Sequence, residues 1–218
     1  VCLLGPLVGR LGKAEIPMPG GCVIGNRPID LHIRAMQRMG AEVELKAGVV
    51  QVNAENLRGN SIFMGGRHGS TVTGTANAIM AAVLAPGKTT IHSAACEPEI
   101  TDLCAMLRNM GANIEGIGSH MIEIEGVESL RGCRHRVIPD RIEAATYALA
   151  AAITGGEVCV RGGRLDHLGA FVNVMNACGV RIDAQSENEI SVKTDEAGLR
   201  SLESIPPPYP GFPTDLQA

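Results

Sequence analysis

The sequence has no tryptophan, two tyrosines and three phenylalanines. So few rings exclude a stacking platform for single-stranded nucleic acid, which holds bases on aromatic faces. They also leave the core to Ile, Val, Leu, Met and Ala, in a chain that is 45% hydrophobic. Basic excess is missing too, since the net charge is −4, and DNA or RNA partners need a positive footprint. No block of like charges forms an interaction tail. No apolar run reaches the roughly 20 residues that span a bilayer, so no membrane partner is expected. The opening "VCLLGPLVG" is short and broken by Gly and Pro, unlike a signal peptide. The seven cysteines include no CxxC pair and no Cys/His metal spacing. An odd set of free thiols fits a reducing, cytoplasmic compartment. Most of them are expected in the core, with Cys159 in a strand and Cys104 and Cys178 packed on helix faces.

What the chain does have is a repeat. "DLHIRAMQRMGAEVEL", "DLCAMLRNMGANIEGI" and "HLGAFVNVMNACGVRIDA" each place apolar residues at helical spacing, then a Gly, then an alternating strand. The glycines are Gly40, Gly111 and Gly179, and a residue just past a helix end favours Gly for its left-handed backbone. A second alternating strand follows each, in "GVVQVN", "HMIEIEG" and "NEISVK". Between the copies, "TANAIMAAVLAPGKTTIHS" and "RIEAATYALAAAITGGEVCVRG" each read as an Ala-rich helix, a turn and a strand. The expected unit is strand, helix, strand, helix, strand, strand over roughly 70 residues. Such units imply an α/β (α+β) class with helices shared between sheets. The chain begins and ends inside a unit, so it is expected to be a piece of a longer protein.

One cysteine departs from the packing pattern. "PMPGGCVIGNRPID" has Pro19, Gly20, Gly21, Gly25 and Pro28, which deny it regular structure. Cys22 on such a loop would be open to solvent, with Arg27 near enough to favour thiolate. Arg27 before Pro28 is a rigid mount for a guanidinium facing phosphate. Asp30 precedes a helix and reads equally as its N-cap. The alternatives are a surface charge for Arg27 and an incidental thiol for Cys22. His68, His92, His120, His135 and His167 are scattered and read as surface or strand-end residues.

The run Pro19-Gly20-Gly21-Cys22-Val23-Ile24-Gly25-Asn26-Arg27-Pro28-Ile29-Asp30-Leu31-His32 resembles the signature loop of the UDP-N-acetylglucosamine enolpyruvyl transferases. The similarity continues through "TVTGTANAIMAAVLA", "AACEPEITDL", "IEGVESLRG", "VIPDRIEAATY" and "PGFPTDLQA", covering the whole chain in order. It implies two similar domains of βαβαββ units, an inside-out barrel fold, here truncated at both ends. Residues 1–137 would be the remainder of the domain carrying the cysteine loop, and 138–218 the first part of the second. The implied reaction moves the enolpyruvyl group of phosphoenolpyruvate to the 3′-hydroxyl of UDP-N-acetylglucosamine, in peptidoglycan synthesis, with no cofactor or metal.

By the same resemblance Cys22 is the proton donor and adduct site, the target of the epoxide fosfomycin, and Asp215 is the base at the sugar hydroxyl. Arg27, Pro28, Ile29, Asp30, Leu31, His32, Thr71, Val72 and Thr73 would line the uridine diphosphate site. Asp140 and Arg141 belong to the hinge side of the cleft. Read from residues alone, "TVTGT" is also ordinary helix capping, and Asp215 could be an N-cap. The family's Lys before "TVTG" is not seen, Arg67 or His68 standing near its place, and Cys96 stands where Arg is common. Taken alone, the chain is therefore expected to be inactive and prone to self-association. Two other readings share some of these features: the shikimate-pathway enolpyruvyl transferase, which lacks the cysteine loop, and a non-catalytic repeat module binding a nucleotide sugar or a protein.

Overall fold

Three glycines with positive φ punctuate the chain: Gly40 (94°), Gly111 (105°) and Gly179 (84°). Each follows a helix end, where a Cβ would clash in the left-handed backbone. At the first, Gly40 N–H donates to Gln37 O and Ala41 N–H to Met36 O; at the second, Gly111 and Ala112 donate to Arg108 O and Leu107 O. These paired bonds satisfy carbonyls the helix leaves open and turn the chain into a strand. The computed structural model describes residues 1–18, 28–66 and 69–201. The chain divides into two compact units, Val1–Arg136 and Val137–Ala218.

In the first unit, α1 (Leu4–Leu11), β1 (Lys13–Pro17), α2 (Asp30–Arg38), β2 (Glu42–Lys46) and β3 (Val49–Asn53) are followed by β4 (Ser61–Phe63). The short strands β5 (Gly65–Gly66) and β6 (Gly69–Ser70) lead into α3 (Val72–Ala82), β7 (Lys88–His92), α4 (Pro98–Asn109), β8 (Asn113–Glu115) and β9 (Met121–Glu125). The second unit holds α5 (Arg141–Ile153), β10 (Glu157–Arg161), α6 (Gly169–Ala177), β11 (Val180–Ser186) and β12 (Glu189–Thr194).

The expected repeat is present as a pairing rule. The sheet orders β1-β3-β2, β7-β9-β8 and β10-β12-β11 put the second hairpin strand at the centre each time. Its antiparallel partner is the strand that follows the preceding helix, as in Lys13↔Asn53, Lys88↔Glu125 and Glu157↔Lys193. Alternation along β9 buries Ile122 and Ile124 and turns Met121 and Glu125 outward.

The leading strand departs from expectation. In the middle copy β4 pairs parallel with β7, but residues 126–140 before α5 form no strand. Their polar groups are used elsewhere: Val127 N–H bonds Val83 O, Arg131 N–H bonds Met110 O, and His135 Nε2 lies 2.9 Å from Asp102 Oδ1 on α4. Pro139 has no N–H to give a ladder.

In the first unit α3 is the central helix, buried through Gly74, Thr75, Asn77, Ala78, Ile79, Ala81 and Ala82. Small residues let α1 approach closely. A Cβ on Gly5 would fall 2.2 Å from the Asn77 carbonyl oxygen. The core of this unit is aliphatic, as the scarcity of rings requires, with Leu4, Met36, Met39, Ile62, Met64, Ile79 and Ile91 fully buried.

The packing expectation for the thiols holds at Cys104 and fails at Cys159 and Cys178. Among the described cysteines Cys104 is buried, whereas Cys2, Cys133 and Cys159 are exposed and Cys96 and Cys178 partly so. Cys159 faces outward on β10, its Sγ donating to Glu189 Oε1 at 3.2 Å, and Cys178 sits past the last turn of α6 rather than on its packed face. His135 is likewise largely covered rather than on the surface, held against Asp102.

One core polar atom is unpaired. Among the described residues, the fully buried Thr89 Oγ1 has no hydrogen-bond partner. An orphaned buried hydroxyl costs about 1–3 kcal/mol, so Thr89→Val is expected to stabilise the first unit by about 1 kcal/mol. A rise in the denaturant midpoint at unchanged slope would show it.

Candidate functional site

The first turns of α2 and α3 meet in space although they lie far apart in sequence. Residues 28–29 lead into α2, which starts at Asp30. Ile29, not Asp30, occupies the N-cap position, and no side chain caps this helix. The Asp30 carboxylate instead pairs with Arg34 one turn on, at 3.3 Å, still in the first turn where negative charge suits the helix dipole. Leu31 lies against β5, 3.2 Å from where a Cβ on Gly66 would be. His32 points into the unit and is 3% exposed.

The start of α3 is built by Thr71. Its backbone is extended and its Oγ1 accepts from Gly74 N–H at 3.2 Å, a capping bond. Its carbonyl receives the Thr75 hydroxyl at 2.6 Å, and Thr75 Oγ1 in turn accepts from Ala95 N–H at 3.1 Å. The loop after β7 is thereby tied to the first turn of α3. Ser70 and Ser93 face one another at 3.4 Å between their hydroxyls. Val72 and Thr73 follow the cap as the first helical residues, and Thr73 is exposed. Their position at the positive end of α3 suits an anion.

Between these turns is a buried polar cluster. His32 Nε2 lies 3.3 Å from Thr73 Oγ1, and His32 Nδ1 lies 3.0 Å from Asn77 Nδ2. Asn77 Oδ1 accepts from Gly5 N–H at 2.6 Å, and its Nδ2 also faces the carbonyls of Val1 and Thr73 at 3.1 and 3.2 Å. Burial pushes the His32 pKa below its ordinary 6.5; the chain's terminal amine acts in the same direction and Asp30 opposes it. The folded unit therefore binds fewer protons here than the unfolded chain. Stability is expected to fall as pH drops below about 6.5, because the unfolded state then gains a proton that the folded state refuses. Denaturant midpoints at about pH 7.5 and pH 5.5 would show this, and His32→Gln should reduce the difference.

The structure brings together His32 and Thr73, two of the residues that the resemblance implies for the site, at 3.3 Å; sequence reasoning did not single out Asn77. The available signal was a polar amide inside an Ala-rich helix, where buried polar groups need partners. Cys22, Arg27, Asp215 and the Arg67/His68 pair lie outside the described residues. In the second unit Asp140 caps α5, its Oδ1 accepting from Ile142 and Glu143 N–H at 2.8 and 3.1 Å, and Arg141 is buried at the helix start. A separate cleft of about 700 Å³ beside β1 is lined by Glu15, Glu42, Glu44 and Glu55 with Lys13, so its charge disfavours a diphosphate.

The sequence signature described as EPSP synthase (3-phosphoshikimate 1-carboxyvinyltransferase) matches residues 1–218. The chain belongs to this family of carboxyvinyltransferases. A UDP-N-acetylglucosamine 1-carboxyvinyltransferase of Methylacidiphilum infernorum is 47% identical, covering 100% of the chain and 51% of that protein. One from Acidobacterium capsulatum is 50% identical over 99% of the chain and 49% of that protein. The chain thus spans about half the length of the curated relatives it matches. Among solved structures, the enolpyruvyl transferase NikO of Streptomyces tendae superposes with a TM-score of 0.77 at 27% identity, covering 91% of the chain and 47% of NikO. EPSP synthase of Acinetobacter baumannii shares the fold, with a TM-score of 0.60 at 19% identity over 89% of the chain and 46% of that enzyme. The α/β class expected from the repeats, and the enolpyruvyl transferase fold implied by the resemblance, are the fold of this chain. No described helix is long and apolar enough to cross a membrane.

Proposed function

We propose that this chain acts in transferring the enolpyruvyl group of phosphoenolpyruvate to the 3′-hydroxyl of UDP-N-acetylglucosamine. It supplies the uridine diphosphate site and the cysteine loop. The observation that carries the reading is the convergence of His32 and Thr73 at 3.3 Å, from segments 41 residues apart. Its support is the 47–50% identity to proteins named for that reaction. In this reading α3 and the Thr73 hydroxyl face the diphosphate. Residues 28–32 form the facing wall, Cys22 donates the proton to the methylene carbon of phosphoenolpyruvate, and Arg27 holds phosphate. Asp215 takes the sugar hydroxyl proton, and Asp140 and Arg141 mark the start of the second domain, divided as 1–137 and 138–218.

Titration of the 218-residue chain with UDP-N-acetylglucosamine, followed by nuclear magnetic resonance, tests the site. Saturable shifts at residues 30–32 and 71–73 are expected, with none from 3-phosphoshikimate. Equal response to 3-phosphoshikimate would favour the shikimate-type acceptor instead.

A further inference from the structure

Asn77 is fully buried in the middle of α3, and its partners leave no freedom in how its amide is oriented. Gly5 N–H can only donate, so the atom it meets at 2.6 Å is the carbonyl oxygen Oδ1. The Val1 and Thr73 carbonyls can only accept, so the atom they meet is Nδ2. The same Nδ2 faces His32 Nδ1 at 3.0 Å. Nδ2 has two hydrogens to share among these three acceptors and no lone pair of its own, so an N–H on Nδ1 would face a group that cannot accept it, and Nδ1 carries the lone pair. The neutral ring then carries its proton on Nε2 and donates it to Thr73 Oγ1 at 3.3 Å. With its oxygen receiving that bond, the Thr73 hydroxyl proton is left for a partner on the exposed side of the turn.

We propose that Asn77 is a positioning residue of the nucleotide-sugar site: it holds His32 as the Nε2–H tautomer and so presents the Thr73 hydroxyl as a donor to the ligand's diphosphate. The inference deepens the proposed function and rests on it for the ligand, but its first half concerns the unliganded chain alone. The chain of contacts links three helices. Gly5 on α1 orients Asn77 on α3, which sets the ring of His32 on α2, which aims a hydroxyl at the start of α3. A purely structural Asn would need its partners only for satisfaction. Here the last member of the chain is exposed.

The test is nitrogen-15 spectroscopy of the His32 ring in the 218-residue chain, with UDP-N-acetylglucosamine titrations. Wild type is expected to show a protonated Nε2 and an unprotonated Nδ1. Asn77→Asp keeps the shape and an oxygen for Gly5, but puts an acceptor opposite Nδ1, so the proton is expected to move to Nδ1 or the ring to become cationic. Thr73→Val, at an exposed position, should leave the ring neutral and weaken nucleotide-sugar binding about tenfold, the loss of one charge-assisted bond. A wild-type ring protonated on Nδ1 would overturn the proposal with no variant needed, as would an unchanged ring in a folded Asn77→Asp chain. The expected ring with no UDP-N-acetylglucosamine binding would overturn the ligand half and the proposed function, and leave the Asn77–His32 assignment standing on its spectrum.

Discussion

Gly5→Ala is expected to destabilise the first unit by roughly 3 kcal/mol and to release the buried polar cluster with it. The new Cβ would lie 2.2 Å from the backbone oxygen of Asn77 and 2.8 Å from its Cα, and backbone cannot swing aside as a side-chain tip can. Alanine gains up to about 1 kcal/mol over glycine as a helix former, which is smaller than the clash. The strain cannot be shed by lifting α1, because Leu4 and Val8 are each 1% exposed and unburying either costs about 1.5–3 kcal/mol. Either way the 2.6 Å bond that fixes the Asn77 amide is lost. Chemical denaturation would show a lowered midpoint, and the His32 ring signals would broaden or shift. A wild-type midpoint would mean that α1 and α3 are not in this close contact.

Cys22→Ala carries the largest expected effect on activity. Assigning Cys22 as the proton donor makes its removal worth about 10²–10⁴ in turnover, the usual range for a positioned acid or base. Three of the described thiols are poor competitors for that role. Burial pushes Cys104 up to about 11, burial and then Glu97 raise Cys96, and the hydrogen bond to Glu189 raises Cys159. Raised values mean little thiolate at neutral pH. Limiting alkylation followed by mass spectrometry should therefore label Cys22 before any of these three. Labelling of Cys104, Cys96 or Cys159 first would contradict the assignment.

The parts of the structure that were legible in the sequence share one property: they are set by neighbours close along the chain. Gly40 and Gly111 announce helix ends because the left-handed backbone is a local demand. The alternation of "MIEIE" announces β9 because side chains on a strand take opposite faces. What was not legible depends on distant partners. The meaning of Asn77 comes from Gly5 and His32, 72 and 45 residues away. Cys159 reads as a packed thiol in the sequence because period-two alternation does not say which face of β10 is covered. The absent strand before α5 follows from bonds to α4, which no local pattern in residues 126–140 reveals. At the site, the motif residues 28–32 and 71–73 were found by resemblance, while the bond that joins them became visible only in three dimensions.

The measurement closest to the central claim is phosphate release by a chimera in which residues 1–218 replace the aligned half of the Methylacidiphilum infernorum relative. Phosphoenolpyruvate would be supplied with UDP-N-acetylglucosamine or with 3-phosphoshikimate as acceptor. This account predicts phosphate release with the nucleotide sugar, none with 3-phosphoshikimate, and loss of release on Cys22→Ala. Release that requires 3-phosphoshikimate, or that survives Cys22→Ala undiminished, would contradict it.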